Sequence, residues 1–135
     1  MKLICIDIGN TEIDIANFTS DSEFTVANFN SHNNSIFEFI ESNFSTSTNK
    51  KIDNIAISSV VPEIEHKIIN KFKELNIMPF SVSYINSQVL FDVKFPNEVG
   101  NDRICNMKMA IEEQMHPAII VDFGSATTYD VINNK

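Results

Sequence analysis

The sequence predicts an α/β layer domain with a mixed sheet, followed by the opening hairpin of a second domain of the same kind. Three observations carry that prediction. The first thirty residues read as three consecutive strands, residues 35 to 116 alternate helical and strand-like patterns, and one strand-and-turn motif occurs twice. A meander of three strands is antiparallel and strand–helix–strand crossovers give parallel pairs, so the two together make a mixed sheet. The repeated motif is LICIDIGNTEIDI at residues 3 to 15 and IIVDFGSATTYDV at residues 119 to 131. The copies align without a gap, Asp7 on Asp122, Gly9 on Gly124 and Asn10 on Ser125, about one domain length apart. The expected division is therefore a first domain over residues 1–117 and an incomplete second one over 118–135.

The elements follow in order. Segments near residues 2 to 8, 12 to 18 and 23 to 29 are β-branched or aromatic and partly alternating, as half-buried strands are. Ser35 with Glu38 three residues on has the form of a capping box before Ile36, Ile40 and Phe44, which recur on one helical face. Asp53 to Ser58 reads as a strand. Pro62 suits the first position of a helix whose apolar stripe is Ile64, Ile68, Phe72 and Leu75. Phe80 to Ile85 and the shorter Val89 to Val93 are further strand candidates. Ile104, Met107, Ile111 and Met115 then mark a third helix, expected to stop at His116 because the residue before a proline is pushed out of the helical region.

Composition narrows the function classes. A chain of 135 residues, 43% hydrophobic, can bury one ordinary core. The formal net charge of −8, with no cluster of Lys or Arg, speaks against a nucleic-acid partner. Cys5 and Cys105 lack the spacing of a zinc site and read as buried structural residues. The first fifteen residues form neither a signal peptide nor a membrane span, so a cytoplasmic protein without a membrane partner is expected. The seventeen asparagines are interrupted throughout by aromatic and β-branched residues and read as a compositional bias.

The repeated turn has the chemistry of a phosphate site. A glycine allows a sharp turn and brings backbone N–H groups close to a ligand, where successive N–H groups make an anion-binding concavity. Asn10, Thr11, Ser125, Thr127 and Thr128 add side-chain donors, and an aspartate at a strand end beside the turn can orient a hydrated metal ion on a phosphate. The remaining glycine, Gly100, precedes the third helix in VGNDR. Asp102 then falls at the helix start, where the macrodipole favours an anion, and acts either as a cap or as a base. Arg103 is either a surface residue or a clamp for an anionic or polar substrate.

Taken together, DIGNT at 7 to 11, SSVVP at 58 to 62, VGNDR at 99 to 103 with Asn106 and Ala110, and DFGSATTYD at 122 to 130 resemble type III pantothenate kinase, in that family's order and over nearly the whole chain. The DIGNT stretch alone would suit much of the actin, hexokinase and acetate kinase superfamily. The resemblance implies two duplicated ribonuclease H-like domains with ATP between them. It also implies ATP-dependent phosphorylation of pantothenate to 4'-phosphopantothenate, the first step of coenzyme A synthesis. By resemblance, Asp7, Ile8, Gly9, Asn10, Thr11 and Glu12 bind ATP together with Ser125. Gly100, Asn101, Asp102 and Arg103 bind pantothenate, Asp102 is the proton acceptor, and Asp122 is the ligand of a monovalent cation. The family further implies a homodimer that uses magnesium together with potassium or ammonium.

The chain departs from the family pattern in places. Val93, between Phe91 and Phe95, stands where an aromatic residue of the substrate pocket is expected. Glu12 stands where the family usually has a neutral or basic residue, and strand alternation is expected to turn it from the ligand. The glycine-rich segments that hold adenosine in the family do not occur. Two alternatives stay open on the residues: a non-catalytic remnant or interaction module of the same fold, and another small-molecule kinase of the superfamily. Nucleotide binding and a substrate panel discriminate them.

Overall fold

The computed structural model describes residues 3–20, 22–44, 54–124 and 126–133. The chain divides into two compact units, Met1–Ser81 and Val82–Lys135.

The first unit is built on β1 (Leu3–Ile8), β2 (Glu12–Phe18), β3 (Phe24–Asn30), α1 (Ser35–Phe44), β4 (Asn54–Ser59), α2 (Pro62–Glu74) and the short β5 (Phe80–Ser81). Its five-stranded sheet has the order β3-β2-β1-β4-β5. The pairs β1–β2 and β2–β3 are antiparallel, and β1–β4 and β4–β5 are parallel. This is the mixed sheet expected from a meander followed by crossovers. Asp53, the expected first residue of the fourth strand, lies outside the described residues.

Period-two alternation divides the sheet into two unlike faces. Ile4, Ile6, Ile8, Ile13, Ile15, Ile55 and Ile57 share one face and are buried with Ile36, Ile40 and Phe44 of α1 and Ile68 and Phe72 of α2. The other face is mixed, with Phe24, Val26 and Phe80 about half exposed at one end of the strands. Cys5 lies on this face, half-buried, and burial raises its thiol pKa. Neither Cys5 nor Cys105 is in a disulfide, and both are only partly covered rather than buried as expected.

The helix ends explain themselves locally. Pro62 occupies the first turn of α2, where a missing N–H costs nothing. The C-terminus closes on Asn76 at φ 59°, with Ile77 N donating to Phe72 O at 2.9 Å and Asn76 N to Lys73 O at 2.9 Å, a Schellman motif built without glycine. At α1 the expected capping box does not form as read. Ser35 is the first helical residue, and its N–H and hydroxyl both donate to Asn33 Oδ1, so Asn33 takes the capping role.

The second unit holds a short 3-10 turn (Pro96–Glu98), α3 (Asn101–Glu112) and the hairpin of β6 (Ala118–Phe123) and β7 (Thr127–Ile132). Ile104, Met107 and Ala110 of α3 bury against Ile132, with Ile120, Phe91 and Val99 around them. The strand expected at Val89–Val93 is absent, and of Phe80–Ile85 only Phe80–Ser81 pairs. Asn86 Oδ1 accepts from Ser83 N at 2.8 Å and Ser87 Oγ from Val89 N at 3.3 Å, so side chains take the backbone donors that a ladder would need. The third helix stops at Glu112, before His116. Gln114 at φ 57° and the bond from Met115 N to Ala110 O at 2.8 Å close it, which leaves Met115 outside the helix and exposed. Among the described residues no helix is long and apolar enough to cross a membrane.

Candidate phosphate and substrate site

The first glycine turn sits between β1 and β2. Gly9 N donates to Glu12 O at 2.9 Å, closing residues 9 to 12 into a tight reversal. No described glycine has a positive φ, so Gly9 is favoured by closeness rather than by handedness. A Cβ at this position would stand 3.1 Å from Glu12 O.

Two neighbours hold the turn in place. Ser31, one residue past β3 and buried, donates its hydroxyl to Gly9 O at 2.8 Å and its N–H to Thr11 O at 2.9 Å. Val60 N donates to Ile8 O at 3.0 Å, tying the end of β4 to the end of β1. Asn10, Thr11 and Glu12 are exposed beside this frame, and Ile8 is fully buried beneath it. Ser31→Ala is expected to leave Gly9 O without its donor and to destabilise the first unit by about 1 to 2 kcal/mol. Urea unfolding measures the loss, and an unchanged midpoint would show that the strap contributes nothing.

The strand register sets Asp7 opposite Asp14 on β2 and beside Ser58 on β4, with Asn28 on β3 completing the row. Asn28 Nδ2 donates to Asp14 Oδ1, and the Ser58 hydroxyl is buried with no partner among the described residues. Like charges directly opposite across an antiparallel pair are unfavourable unless something offsets them. Two carboxylates with a spare hydroxyl form an oxygen-only donor set, the chemistry that suits magnesium with water and phosphate oxygens completing its shell. The described residues include no group of three acidic, histidine or cysteine side chains able to hold a metal by themselves. Glu12 lies on the same side of the sheet as Asp7 and Asp14, because the pairing of Ile8 with Ile13 turns both even-numbered neighbours outward.

In the second unit Asp122, half-buried near the end of β6, stands opposite Thr128 of β7. The Thr128 hydroxyl is buried and unpartnered among the described residues, so this pair too offers oxygen donors of the kind a potassium or ammonium ion accepts. Ser125 lies outside the described residues. The second hairpin is one residue tighter than the first. Phe123 pairs with Thr127, whereas Ile8 pairs with Ile13, so strand residues that align in sequence differ in facing.

Gly100 is the N-cap of α3 and carries no capping side chain, and Asn101, Asp102 and Arg103 form the first turn, all half-buried. Asp102 is thus inside the helix rather than capping it. Its Oδ1 accepts the Arg103 N–H at 2.7 Å. The Arg103 side chain turns onto β7, where Nε and Nη2 both donate to the carboxylate of Asp130. Those hydrogen bonds raise the Arg103 pKa above its ordinary value against a lowering by burial, and the charges of Asp130 and Asp102 add to the rise. Val93 and Phe95 are half exposed, and Lys94 Nζ stands 5.0 Å from the centre of the Phe95 ring.

Sequence reasoning did not assign roles to Ser31, Ser58, Asp14 and Asp130. Only strand pairing and tertiary packing bring them to the candidate residues, although Ser58 opens the SSVVP stretch, Asp14 lies in the first copy of the repeat and Asp130 ends DFGSATTYD.

The five-stranded mixed sheet with a glycine turn after its first strand is consistent with the α/β fold of actin and hexokinase. The family model for type III pantothenate kinase matches residues 3–135. A type III pantothenate kinase of Dictyoglomus turgidum is 35% identical over 151 residues, covering 98% of this chain and 55% of the relative. One of a Sulfurihydrogenibium species is 32% identical over 141 residues, covering 98% and 56%. Another, of Halalkalibacterium halodurans, is 43% identical over 86 residues, covering 62% and 34%. The chain belongs to the type III pantothenate kinase family, and it spans about half the length of the curated relatives it matches.

Proposed function

We propose that the protein phosphorylates pantothenate with ATP, giving 4'-phosphopantothenate and ADP in the cytoplasm. The observation that supports this most is the first turn of α3, which sets a carboxylate and a bidentately held guanidinium on adjacent residues of a chain matching the family over 3–135.

In this reading the turn from Asp7 to Glu12 takes the phosphates, with Gly9, Asn10 and Thr11 supplying N–H and side-chain donors, and Ser125 adds a hydroxyl. Asp7 would hold magnesium, which supplies charge neutralisation at the phosphate oxygens, and Asp122 would hold potassium or ammonium. Gly100, Asn101 and Arg103 orient pantothenate so that its primary hydroxyl faces the γ-phosphorus. As the new O–P bond forms and the β–γ bridging bond breaks, the hydroxyl proton passes to the carboxylate of Asp102, and ADP leaves. Positioning and electrostatic stabilisation carry most of the rate in such transfers. The boundary between the duplicated domains falls after residue 117, where the second copy of the strand and turn begins, and the active form is a homodimer.

The test is an assay of the intact protein with ATP, pantothenate, magnesium and potassium, reading 4'-phosphopantothenate by mass spectrometry. A panel of other small alcohols in place of pantothenate decides the substrate, and product from another acceptor alone would overturn the reading. Asp122→Ala is expected to raise both the potassium concentration for half-maximal activity and the KM for ATP, since both depend on charge balance at the phosphates. A potassium titration superimposable on the parent's would remove Asp122 from the cation site.

A further inference from the structure

Arg103 meets Asp130 across 27 residues of sequence and two elements. Asp130 is 7% exposed, on the side of β7 that faces α3, and its neighbours there are the apolar Ile120 and Ile132. Placing a carboxylate in such a setting is costly unless it is paired and its lone pairs are used. Both of its oxygens accept from Arg103, with Nε at 3.1 Å from each and Nη2 also bound to Oδ1. The guanidinium is therefore clamped along its Nε–Nη2 edge. Nη1, the third nitrogen of the same plane, takes no part in the pair, and the Arg103 side chain keeps about a third of its surface exposed. A guanidinium has a rigid fork of five donors, so fixing one edge fixes where the remaining donors point.

We propose that Asp130 is a positioning residue for pantothenate binding: it clamps one edge of Arg103 so that the free Nη1 side is held ready for an oxygen of the substrate. The proposal rests on the reading of Arg103 as a substrate residue. Asp130 acts only through Arg103 and does not itself touch the ligand.

The experiment is a calorimetric titration of pantothenate into the intact protein and into Arg103→Gln, Asp130→Asn and the double variant, with the thermal unfolding midpoint of each. Asp130→Asn keeps the shape of the side chain but loses its charge and one acceptor. Pantothenate affinity is expected to fall by about tenfold, as for one charge-assisted hydrogen bond. The double variant should be no weaker than Arg103→Gln alone, because Asp130 has no route to the ligand except Arg103. Wild-type-like affinity in Asp130→Asn, or losses that add in the double variant, would overturn the positioning role and leave the site reading standing. Failure of the parent to bind, or Arg103→Gln binding like the parent, would overturn the site reading and this proposal with it. Where Asp130→Asn does not fold, Asp130→Glu carries the test: the charge stays and the added methylene displaces the guanidinium, so weakened binding supports the role and unchanged binding overturns it.

Discussion

Asp102→Asn is expected to lower turnover by about 10² to 10⁴-fold, the range for loss of a general base, while the protein stays folded. The two effects separate because, in the proposed reading, Asp102 would serve the helix and the chemistry through different properties. To the helix it offers an acceptor, Oδ1, bound to Arg103 N at 2.7 Å, and an asparagine oxygen can occupy the same place. The helix also loses a negative charge near its N-terminus, worth about 0.3 to 1 kcal/mol at a partly exposed site. To the chemistry it offers a carboxylate that can take a proton, and an amide cannot. Steady-state kinetics with pantothenate and ATP, run beside thermal unfolding, should show kcat collapsing while the midpoint moves by a few degrees. Turnover close to the parent's would mean that the proton goes elsewhere, and Asp102 would then be only a helix residue.

The two halves of that argument were not equally legible. VGNDR before a helical pattern pointed to Asp102 and Arg103 directly, because a glycine followed by an acid at a helix start is a local signal. The partner of Arg103 was not legible, since Asp130 reaches it only when the hairpin packs on α3. The strap at Ser31 was hidden for the same reason. A serine after a strand has no meaning until β3 is registered against β2, with Asn30 opposite Glu12. Sequence periodicity measures exposure along one element, whereas these contacts belong to pairs of elements.

The misread segments fail for local reasons. Residues 82 to 93 carry enough Val, Leu, Ile and Phe to resemble strand, but Asn86 and Ser87 turn their side chains onto the backbone and remove it from any ladder. Leu90, 92% exposed, shows how little that run behaves as core. The repeated turns mislead in a subtler way. Their residues align without a gap, yet the hairpins differ by one residue in register, so Asp7 faces an aspartate and Asp122 faces a threonine. Identity of motif fixed the position of the aspartate on its own strand and left its cross-strand neighbour open.

The first unit depends heavily on one side chain, and Phe72→Ala is the substitution expected to test that most severely. Phe72 is fully buried on α2, among Ile residues of the sheet and α1. Its ring meets Phe44 of α1 edge-on, centroids 5.5 Å apart at 66°, and Phe44 meets Phe39 at 6.2 Å and 71°. Its carbonyl also closes the C-terminus of α2 by accepting Ile77 N, but that bond survives truncation because it is made by the backbone. What is lost is the ring: its transfer from water, its contact with Phe44, and the volume that nothing nearby can refill without moving α1. Phenylalanine-to-alanine changes at such sites cost about 3 to 5 kcal/mol. A domain of this size has only about 5 to 15 kcal/mol to lose, so the variant should sit near its unfolding threshold at ordinary temperature. Phe24→Ala is the control, since that ring is 55% exposed on the opposite face and should cost far less. Urea unfolding followed by far-ultraviolet circular dichroism compares the two. Equal losses would mean that the packing of α1 and α2 on the isoleucine face is not what holds this unit together.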